Sequence, residues 1–236
     1  MPRPRTVTPE LPSEIGMHDG LSYSLWLPKR TAHGGVVVLH GAGSCKENHH
    51  DFARAALGAN LAAVVFDQRG HGESDGPMDG RALDDVGRMA DLLRSRMRTR
   101  AVALRGSSMG GYLALVSAQA VDAQAVVAVC PAGAEGLRRG LAQNRFTFEA
   151  DVPTLDAFLA AHDEREAVAQ LDHVPVLLLH AEGDEQVPVE HSRELATRLR
   201  SPQSRLIAVP GGHHRSIQHD EELQAVSLRF IGQALG

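Results

Sequence analysis

The sequence predicts an α/β protein with a mostly parallel central sheet of about eight strands and helices on both faces. From Gly34 onward, short apolar runs alternate with longer segments of helical period. Apolar runs without polar alternation are typical of strands buried on both faces of a parallel sheet. Before Gly34, residues 21–27 alternate between polar and apolar side chains, which predicts a half-exposed strand at an antiparallel N-terminal edge.

Each element of this architecture has its own sequence signal. The turn His18-Asp19-Gly20 precedes the N-terminal strand. Runs rich in Val, Leu and Ala predict parallel strands at residues 36–39, 62–66, 101–104, 125–129, 176–179 and 206–209. Segments of helical period predict helices at about residues 47–57, 81–97, 109–121, 192–199 and 220–234.

The chain is expected to form a single domain over residues 1–236, because this length can bury a substantial core and no linker-like stretch divides it. Residues 132–173 are too long for one crossover helix, and Leu155, Phe158 and Leu159 stand there at helical spacing, after Phe146 and Phe148. Two interpretations of this insert stay open: a helix packed on the sheet, and a short helical cap over a pocket.

Composition disfavours several classes of protein. The net charge is -5 and Lys and Arg form no long run, so a nucleic acid partner is not expected. No apolar stretch of signal-peptide length follows Met1–Thr6 and no later segment has membrane-spanning length, which predicts a cytoplasmic protein. Cys45 and Cys130 are too few for a disulfide framework and are expected to be free thiols. No feature of the sequence indicates an oligomeric state.

The most informative motif is Gly106-Ser107-Ser108-Met109-Gly110, which ends a predicted strand and begins a predicted helix. A serine exposed on such a sharp turn needs small neighbours, and the first free amides of the helix favour negative charge beside it. These features predict that Ser108 is a nucleophile. Taken alone, the pentapeptide also fits an ordinary glycine-rich loop.

An acid and a base follow further along the chain. Asp184 lies in a loop after the strand at 176–179, and His213 and His214 lie in a glycine-rich loop after the strand at 206–209. A serine hydroxyl needs a base to take its proton, and an acid orients that base. The order Ser, Asp, His, each after its own strand, is the order of the α/β-hydrolase triad. Either histidine fits the role of the base at this point.

An oxyanion-binding loop is predicted after the first parallel strand, where the chain reads His40-Gly41-Ala42-Gly43. Acyl transfer needs two N–H donors aimed at the developing oxyanion. The backbone amides of Ala42 and Met109 are the expected donors.

Together these motifs resemble the α/β-hydrolase superfamily, and the resemblance extends from about Gly34 to the C-terminus. The chain is similar to small serine esterases and monoacylglycerol-lipase-like enzymes, which place related motifs in the same order. The resemblance implies the α/β-hydrolase fold, favours His214 over His213 as the base, and supports Asp184 as the acid, with Glu182 and Glu135 as alternatives. It also supports Ala42 and Met109 as the oxyanion donors.

The expected function is hydrolysis of carboxylic esters with small or medium acyl groups through an acyl-enzyme on Ser108, with a small-molecule acyl substrate as the expected partner. Thioesterase, amide or peptide hydrolase and carbon–carbon bond hydrolase are alternatives, as is a receptor on the same fold that does not turn over its ligand. No cofactor is expected. No metal is expected either, since neither His49-His50-Asp51 nor His213-His214 completes a ligand pattern.

Two further segments lead to expectations about structure rather than chemistry. Residues 67–74, rich in glycine and polar side chains, are expected to organise a loop. Arg105 stands at the end of a predicted buried strand, where an apolar residue is usual, so it is expected to pair with a carboxylate or reach solvent.

Overall fold

An eight-stranded sheet forms the centre of the structure, a computed structural model that describes residues 9–236. The strands are β1 (Glu14–His18), β2 (Leu21–Trp26), β3 (Gly35–Leu39), β4 (Ala62–Phe66), β5 (Val102–Ser107), β6 (Ala125–Val129), β7 (Val176–Ala181) and β8 (Arg205–Val209). Their order is β1-β2-β4-β3-β5-β6-β7-β8; β1 and β2 run antiparallel to their neighbours, and β3 to β8 are mutually parallel. The predicted fold class is confirmed. The interpretation of Met1–Thr6 lies outside the described residues.

Eight α-helices connect and cover the strands within residues 9–236. They are α1 (His50–Gly58), α2 (Ala82–Arg96), α3 (Met109–Ser117), α4 (Ala134–Ala142), α5 (Val152–Ala161), α6 (Glu164–Ala169), α7 (Val189–Ala196) and α8 (Glu221–Leu235). A 3-10 turn, Lys46–His49, leads into α1. Over the same residues, none of these helices combines the length and the apolar character that a bilayer crossing requires.

Alternate strand residues point to opposite faces of the sheet and enter two separate cores. In β3, Val36 and Val38 pack on the side covered by α1 and α8, whereas Val37 and Leu39 pack on the side covered by α2 and α3. All four side chains are fully buried. This explains why the parallel strands read as continuous apolar runs, since neither face is left for polar residues.

The N-terminal edge is a hairpin of two strands, and β2 is not half-exposed as its alternation suggested. Asp19 and Gly20 form its turn, both with positive φ, 50° and 79°. Every residue of β2 is buried, because β1 pairs along its outer side and the Ser22 backbone N–H donates to Ser74 Oγ in the 67–74 loop. The half-exposed edge strand is instead β1, whose alternate residues are exposed.

The 132–173 insert contains three helices rather than one. Leu155, Phe158 and Leu159 of α5 are buried in the same core as Met109 of α3. Helix α6 begins at an Asp163 cap, whose carboxylate accepts the Arg165 N–H at 2.7 Å. The insert is therefore anchored to the helix that follows Ser108.

A close backbone-to-backbone contact lies where β5 turns into α3. A Cβ atom at position 106 would overlap the Gly110 carbonyl, and a Cβ at position 110 would overlap the carbonyl oxygens of Leu39 and His40. Backbone atoms cannot move away as the end of a flexible side chain can. Glycine at both positions therefore allows α3 to start directly against the end of β3.

We expect Gly110→Ala to lower the free energy of unfolding by about 2 kcal/mol or more, because the added methyl group must displace backbone. Gly87→Ala is the matched control: Gly87 lies inside α2 and a Cβ there would meet nothing within 4 Å. This change should instead raise stability by about 0.5–1 kcal/mol, through helix propensity alone. Urea unfolding followed by circular dichroism measures both; equal effects of the two substitutions would refute the close contact.

Candidate active site

Ser108 occupies a strained backbone position at the junction of β5 and α3. Its φ is 52° and its ψ is -119°, values that a residue with a side chain rarely adopts. The surrounding hydrogen bonds hold it there: Ser108 N–H donates to Val129 O at 2.9 Å, and Ser108 O accepts from Tyr112 and Ala132 N–H, each at 3.0 Å. Its hydroxyl lines a cavity of about 1090 Å³ and has no hydrogen-bond partner among the described residues.

The His40–Gly43 loop lies against this serine. A Cβ at Gly41 would stand 3.2 Å from Ser108 Cβ and 3.9 Å from Ser108 Oγ. The predicted oxyanion donors, Ala42 and Met109, belong to segments on either side of this contact. Neither backbone N–H donates a hydrogen bond to another residue within 9–236, so both are free for a ligand. Ala42 itself lines the cavity.

His71 supports this loop from behind, a role that the sequence did not indicate. Gly43 N–H donates to His71 Nε2 at 3.1 Å, and His71 Nδ1 lies 3.0 Å from the Arg69 carbonyl. Nδ1 therefore carries the proton and Nε2 is the acceptor. Burial lowers the pKa of His71, which favours this neutral form. The ring also stacks on Phe148, with centroids 4.4 Å apart.

A buried ion pair fixes the chain just after the loop. Asp67, fully buried at the end of β4, accepts Lys46 N–H at 2.7 Å, Lys46 Nζ at 2.8 Å and Glu73 N–H at 3.0 Å. Oδ1 of this carboxylate thus holds the Lys46 backbone, while Oδ2 binds Lys46 Nζ and closes the turn of the 67–74 loop through Glu73. This loop organises structure, as its composition indicated, and it does so for the segment next to Ser108.

Asp184 and His214 form the shortest polar contact in the site. His214 Nδ1 lies 2.6 Å from Asp184 Oδ2, and both side chains are almost fully buried. The other oxygen, Oδ1, accepts Gln186 N–H at 2.8 Å and Val187 N–H at 2.9 Å. The carboxylate is therefore held in one orientation, with Oδ2 directed at the histidine ring.

A second histidine, His180 at the end of β7, also faces this carboxylate. Its Nε2 lies 3.3 Å from Asp184 Oδ2 and 2.9 Å from Val187 O, and its Nδ1 lies 2.7 Å from Ser192 Oγ. Burial alone raises the pKa of Asp184, but the hydrogen bonds from His180, His214 and the two backbone amides outweigh it and hold the pKa well below its usual range. Sequence reasoning missed His180, although it begins the His-Ala-Glu-Gly-Asp loop.

The remaining candidates of the sequence analysis lie apart from this pair. His213 is exposed, and its ring nitrogen Nδ1 meets only the Arg215 N–H, at 3.4 Å. Glu182 is exposed and pairs with Arg193 at 2.9 Å. Glu135 lies on α4 at the cavity and pairs with Arg139 at 3.0 Å. None of the three contacts the His214 ring.

Ser108 and His214 line the same cavity, but no hydrogen bond joins them. His214 Nδ1 is engaged by Asp184, and Nε2 has no hydrogen-bond partner in the described chain. Catalytic hydrogen bonds in unliganded enzymes are often long and tighten when substrate binds. The arrangement offers a hydroxyl, a ring nitrogen able to accept a proton and free backbone amides on one wall.

Comparisons with known proteins agree with this architecture. Residues 30–147 match the family model described as serine aminopeptidase, S33, and residues 158–231 match one described as TAP-like protein. The first match covers half of the chain. The chain belongs to the α/β-hydrolase superfamily.

Individual relatives of this α/β-hydrolase share modest identity. It is 24% identical to the protein YfhR of Escherichia coli O157:H7, over 94% of this chain and 80% of that one. It is 32% identical to the human monoglyceride lipase over 98 residues, 39% of this chain and 32% of the lipase. The crystal structure of the Paleococcus ferrophilus monoacylglycerol lipase superposes with a TM-score of 0.72 at 20% identity, covering 91% of this chain and 99% of the other. The resemblance to the monoacylglycerol-lipase-like branch is thereby confirmed.

Arg105 of this α/β-hydrolase has neither the carboxylate partner nor the solvent contact expected from the sequence. Its side chain is 1% exposed and its guanidinium lies 4.0 Å above the Phe52 ring. Nη2 donates to the Gln218 carbonyl at 2.9 Å, while Nε and Nη1 have no partner. Burial lowers the pKa of Arg105 to about 10, so it stays charged at neutral pH. The π face of Phe52 and the Gln218 carbonyl take the place of the carboxylate that Arg105 lacks. The hydrogen bond to Gln218 also links Arg105 to the loop that carries His214.

Within residues 9–236, Cys130, His180 and Asp184 are the one group of three metal-ligand side chains whose donor atoms all lie within 4.8 Å of one another. Burial raises the pKa of the Cys130 thiol to about 12, so it is protonated at neutral pH and is a poor metal ligand. The Asp184 oxygens are already engaged by His214 and by backbone amides. These side chains surround the candidate acid and do not make a separate site. Neither Cys130 nor Cys45 lines the cavity.

We expect Arg105→Met to leave the free energy of unfolding no lower than that of the wild type, because it removes a buried cation without an anionic partner. The same change removes the charged donor to the Gln218 carbonyl and leaves Gln224 Nε2 as its other donor, at 3.2 Å. Tryptic cleavage after Arg215 should therefore accelerate about tenfold, the equivalent of one charge-assisted hydrogen bond. Cleavage after Arg198, beyond α7, is the internal reference and should not change. Limited proteolysis with mass spectrometry measures both; equal rates after Arg215 would contradict this role.

We expect Asp184→Asn to lower the free energy of unfolding by about 2 kcal/mol at pH 7, because the ionised group accepts the stronger hydrogen bonds. Since the folded-state pKa is depressed, this contribution is complete above the unfolded value of about 4 and is lost as the pH falls below it. The difference between wild type and variant should therefore be equal at pH 7 and pH 5 and smaller at pH 3.

Urea unfolding at these three pH values tests the expectation. Glu166→Gln is the control, since Glu166 is exposed and has no hydrogen bond or ion pair through its side chain in the described chain. A difference for Asp184→Asn that stays constant down to pH 3 would show that its pKa is not depressed.

Proposed function

We propose that this α/β-hydrolase cleaves carboxylic esters, with Ser108 as nucleophile, His214 as general base and Asp184 as the acid that orients the base. The observation that carries the proposal is the buried Asp184–His214 pair, 2.6 Å apart, on the wall of the cavity that Ser108 also lines. The strained backbone of Ser108 supports the same assignment, because strain of this kind is retained where a function requires it.

The chemistry proceeds in two halves. Ser108 Oγ attacks the carbonyl carbon while its proton passes to His214 Nε2, and the new imidazolium is stabilised by Asp184. The Ala42 and Met109 amides donate to the oxyanion of the tetrahedral intermediate. His214 returns the proton to the leaving alcohol, which leaves an acyl group on Ser108. Water, deprotonated by His214, then attacks this acyl-enzyme, and the acid product and free Ser108 are released.

We propose small or medium acyl groups as substrates and residues 132–173 as a short cap within the single domain. Helix α4 and the segment after it border the cavity, including Leu137 and Phe146. Leu155, Phe158 and Leu159, in contrast, pack into the core and do not line it. Fewer apolar residues of the insert thus line the cavity than the sequence predicted.

The named relatives favour ester substrates. Human monoglyceride lipase and the Paleococcus ferrophilus monoacylglycerol lipase are both ester hydrolases by name. The matching family model is described as a serine aminopeptidase, which favours amide or peptide hydrolysis as the second candidate. Both reactions use the same nucleophile, so assays on paired ester and amide substrates separate them.

A fluorophosphonate probe tests the nucleophile. We expect one adduct per chain on Ser108 by intact-mass and peptide mass spectrometry, and none on Ser108→Ala, whose hydrolysis of p-nitrophenyl butyrate should fall at least 10³-fold. Ser107→Ala, one residue earlier, is the matched control and should keep the adduct. Absence of labelling on folded wild-type protein would favour a non-catalytic receptor.

The two neighbouring histidines provide a test of the base. His214→Ala should reduce kcat by about 10³-fold or more, because it removes the proton acceptor and the partner of Asp184. His213→Ala should change kcat by less than threefold, because its ring is exposed and contacts only the neighbouring backbone. Steady-state kinetics on p-nitrophenyl butyrate measure both, and a reversed order would assign the base to His213.

A further inference from the structure

The charge of the cavity walls differs from that of the whole protein. The chain carries a net charge of -5, whereas four arginines and only two glutamates line the cavity around Ser108. The six residues are Arg139, Arg145, Arg165, Arg215, Glu135 and Glu185. Arginines therefore outnumber carboxylates among the residues that line the cavity, although acidic residues outnumber basic ones in the whole chain.

Two of these arginines are already neutralised by protein carboxylates. Arg139 pairs with Glu135 at 3.0 Å. Arg165 pairs with Glu194 at 2.8 Å and with the fully buried Glu164 at 3.0 Å. Arg139 and Arg165 thus have carboxylate partners within the protein, and neither needs an anion from a ligand.

Arg145 and Arg215 have no such partner. Neither guanidinium has a carboxylate within 4 Å or a side-chain hydrogen bond to any residue of the described chain, and both side chains are exposed at the cavity. The remaining lining carboxylate, Glu185, forms no ion pair with either arginine; its Oε2 accepts the His214 backbone N–H at 3.3 Å. Within the described chain, the cavity thus presents two guanidinium groups that no carboxylate pairs with.

The two arginines come from different segments at the cavity that Ser108 lines. Arg215 directly follows His214, the candidate base. Arg145 belongs to the segment after α4, where the Phe146 ring packs on Gly140 and Thr147 Oγ1 lies 2.8 Å from where a Cβ of Gly43 would stand. One arginine therefore belongs to the loop of the candidate base and the other to the segment that contacts the His40–Gly43 loop.

We propose that the esters cleaved at Ser108 carry a negatively charged group, a carboxylate or a phosphate, which the guanidinium of Arg145 or that of Arg215 binds. A guanidinium presents a planar pair of N–H donors that matches the two oxygens of such an anion. Salt weakens the attraction between such a guanidinium and an anionic substrate. This inference rests on the proposed ester hydrolysis and names its substrate class.

Matched pairs of esters test the proposal. On the acyl side, mono-4-nitrophenyl adipate and 4-nitrophenyl hexanoate have the same six-carbon chain and differ in a terminal carboxylate. On the alcohol side, 4-acetoxybenzoate and 4-tolyl acetate differ in the same way. The measured quantity is the ratio of kcat/KM for the anionic ester to that for the neutral ester, in 20 mM and 300 mM NaCl.

We expect a ratio of about ten or more in at least one pair at low salt, and a smaller ratio at high salt. The ratio should fall at least fivefold in Arg145→Ala or Arg215→Ala and further in the double variant, whereas Arg145→Lys should lose less than Arg145→Ala. Arg229→Ala is the charge-matched control, because Arg229 is exposed on α8 and does not line the cavity. It should keep the wild-type ratio.

The outcomes distinguish the proposed anionic substrate class from the proposed ester hydrolysis on which it rests. Ser108-dependent hydrolysis with no preference for the anionic ester in either pair would overturn the anionic substrate class and leave ester hydrolysis standing. A preference that Arg229→Ala reduces as much as Arg145→Ala and Arg215→Ala would also overturn it, since overall charge and not the cavity would then be responsible. Hydrolysis of none of the four esters would contradict the proposed function itself.

Discussion

The candidate site depends on backbone-to-backbone contact between the end of β3 and the start of α3. Glycine at positions 41, 106 and 110 lets three stretches of main chain meet without intervening side chains. This contact places the His40–Gly43 loop beside Ser108 and leaves the Ala42 and Met109 amides without protein acceptors. Polar backbone groups are rarely left unpaired in a protein interior, so a ligand is the natural acceptor for amides beside a cavity.

Around this contact, buried polar side chains hold each loop of the site in one conformation. His71 holds Gly43, Asp67 holds Lys46, and Arg105 holds the carbonyl of Gln218. Each of these groups loses hydration, and each regains hydrogen bonds to backbone outside the strands and α-helices. The loops are therefore more rigid than their glycine content alone would allow, which suits a site that must position a hydroxyl and an imidazole together.

The charged side chains of the site differ in whether the protein itself supplies their partners. The Asp184 carboxylate accepts hydrogen bonds from two backbone amides and pairs with His214, so groups of the protein itself stabilise its negative charge. Arg145 and Arg215 line the cavity and have no carboxylate partner in the described chain, so their positive charge is available to an anionic ligand that enters the cavity.

The sequence by itself determined the fold class and the identity of the chemical groups. Apolar runs such as 36–39 and 62–66 are explained only by burial on both faces, and the strand endings after Leu104, Leu179 and Val209 carry Ser108, Asp184 and His214. These are local signals, because they depend on residues adjacent in the chain. Residue order likewise pointed to the oxyanion loop and to the hairpin turn at Asp19-Gly20.

Only the tertiary structure decided which groups meet. The resemblance favoured Asp184 and His214 as a pair, but their distance of 2.6 Å depends on how two loops pack. The second contact to Asp184, from His180 in the same loop, and the support of Gly43 by His71, 28 residues away, were not indicated by the sequence. Arg105 shows the same limit: its burial beside Phe52 and its bond to Gln218, 113 residues away, follow from packing of α1 and the last loop on β5. A pattern of residue types reveals which chemical groups a segment carries. The packing of the helices on the sheet sets the distances between those groups and therefore decides which of them interact.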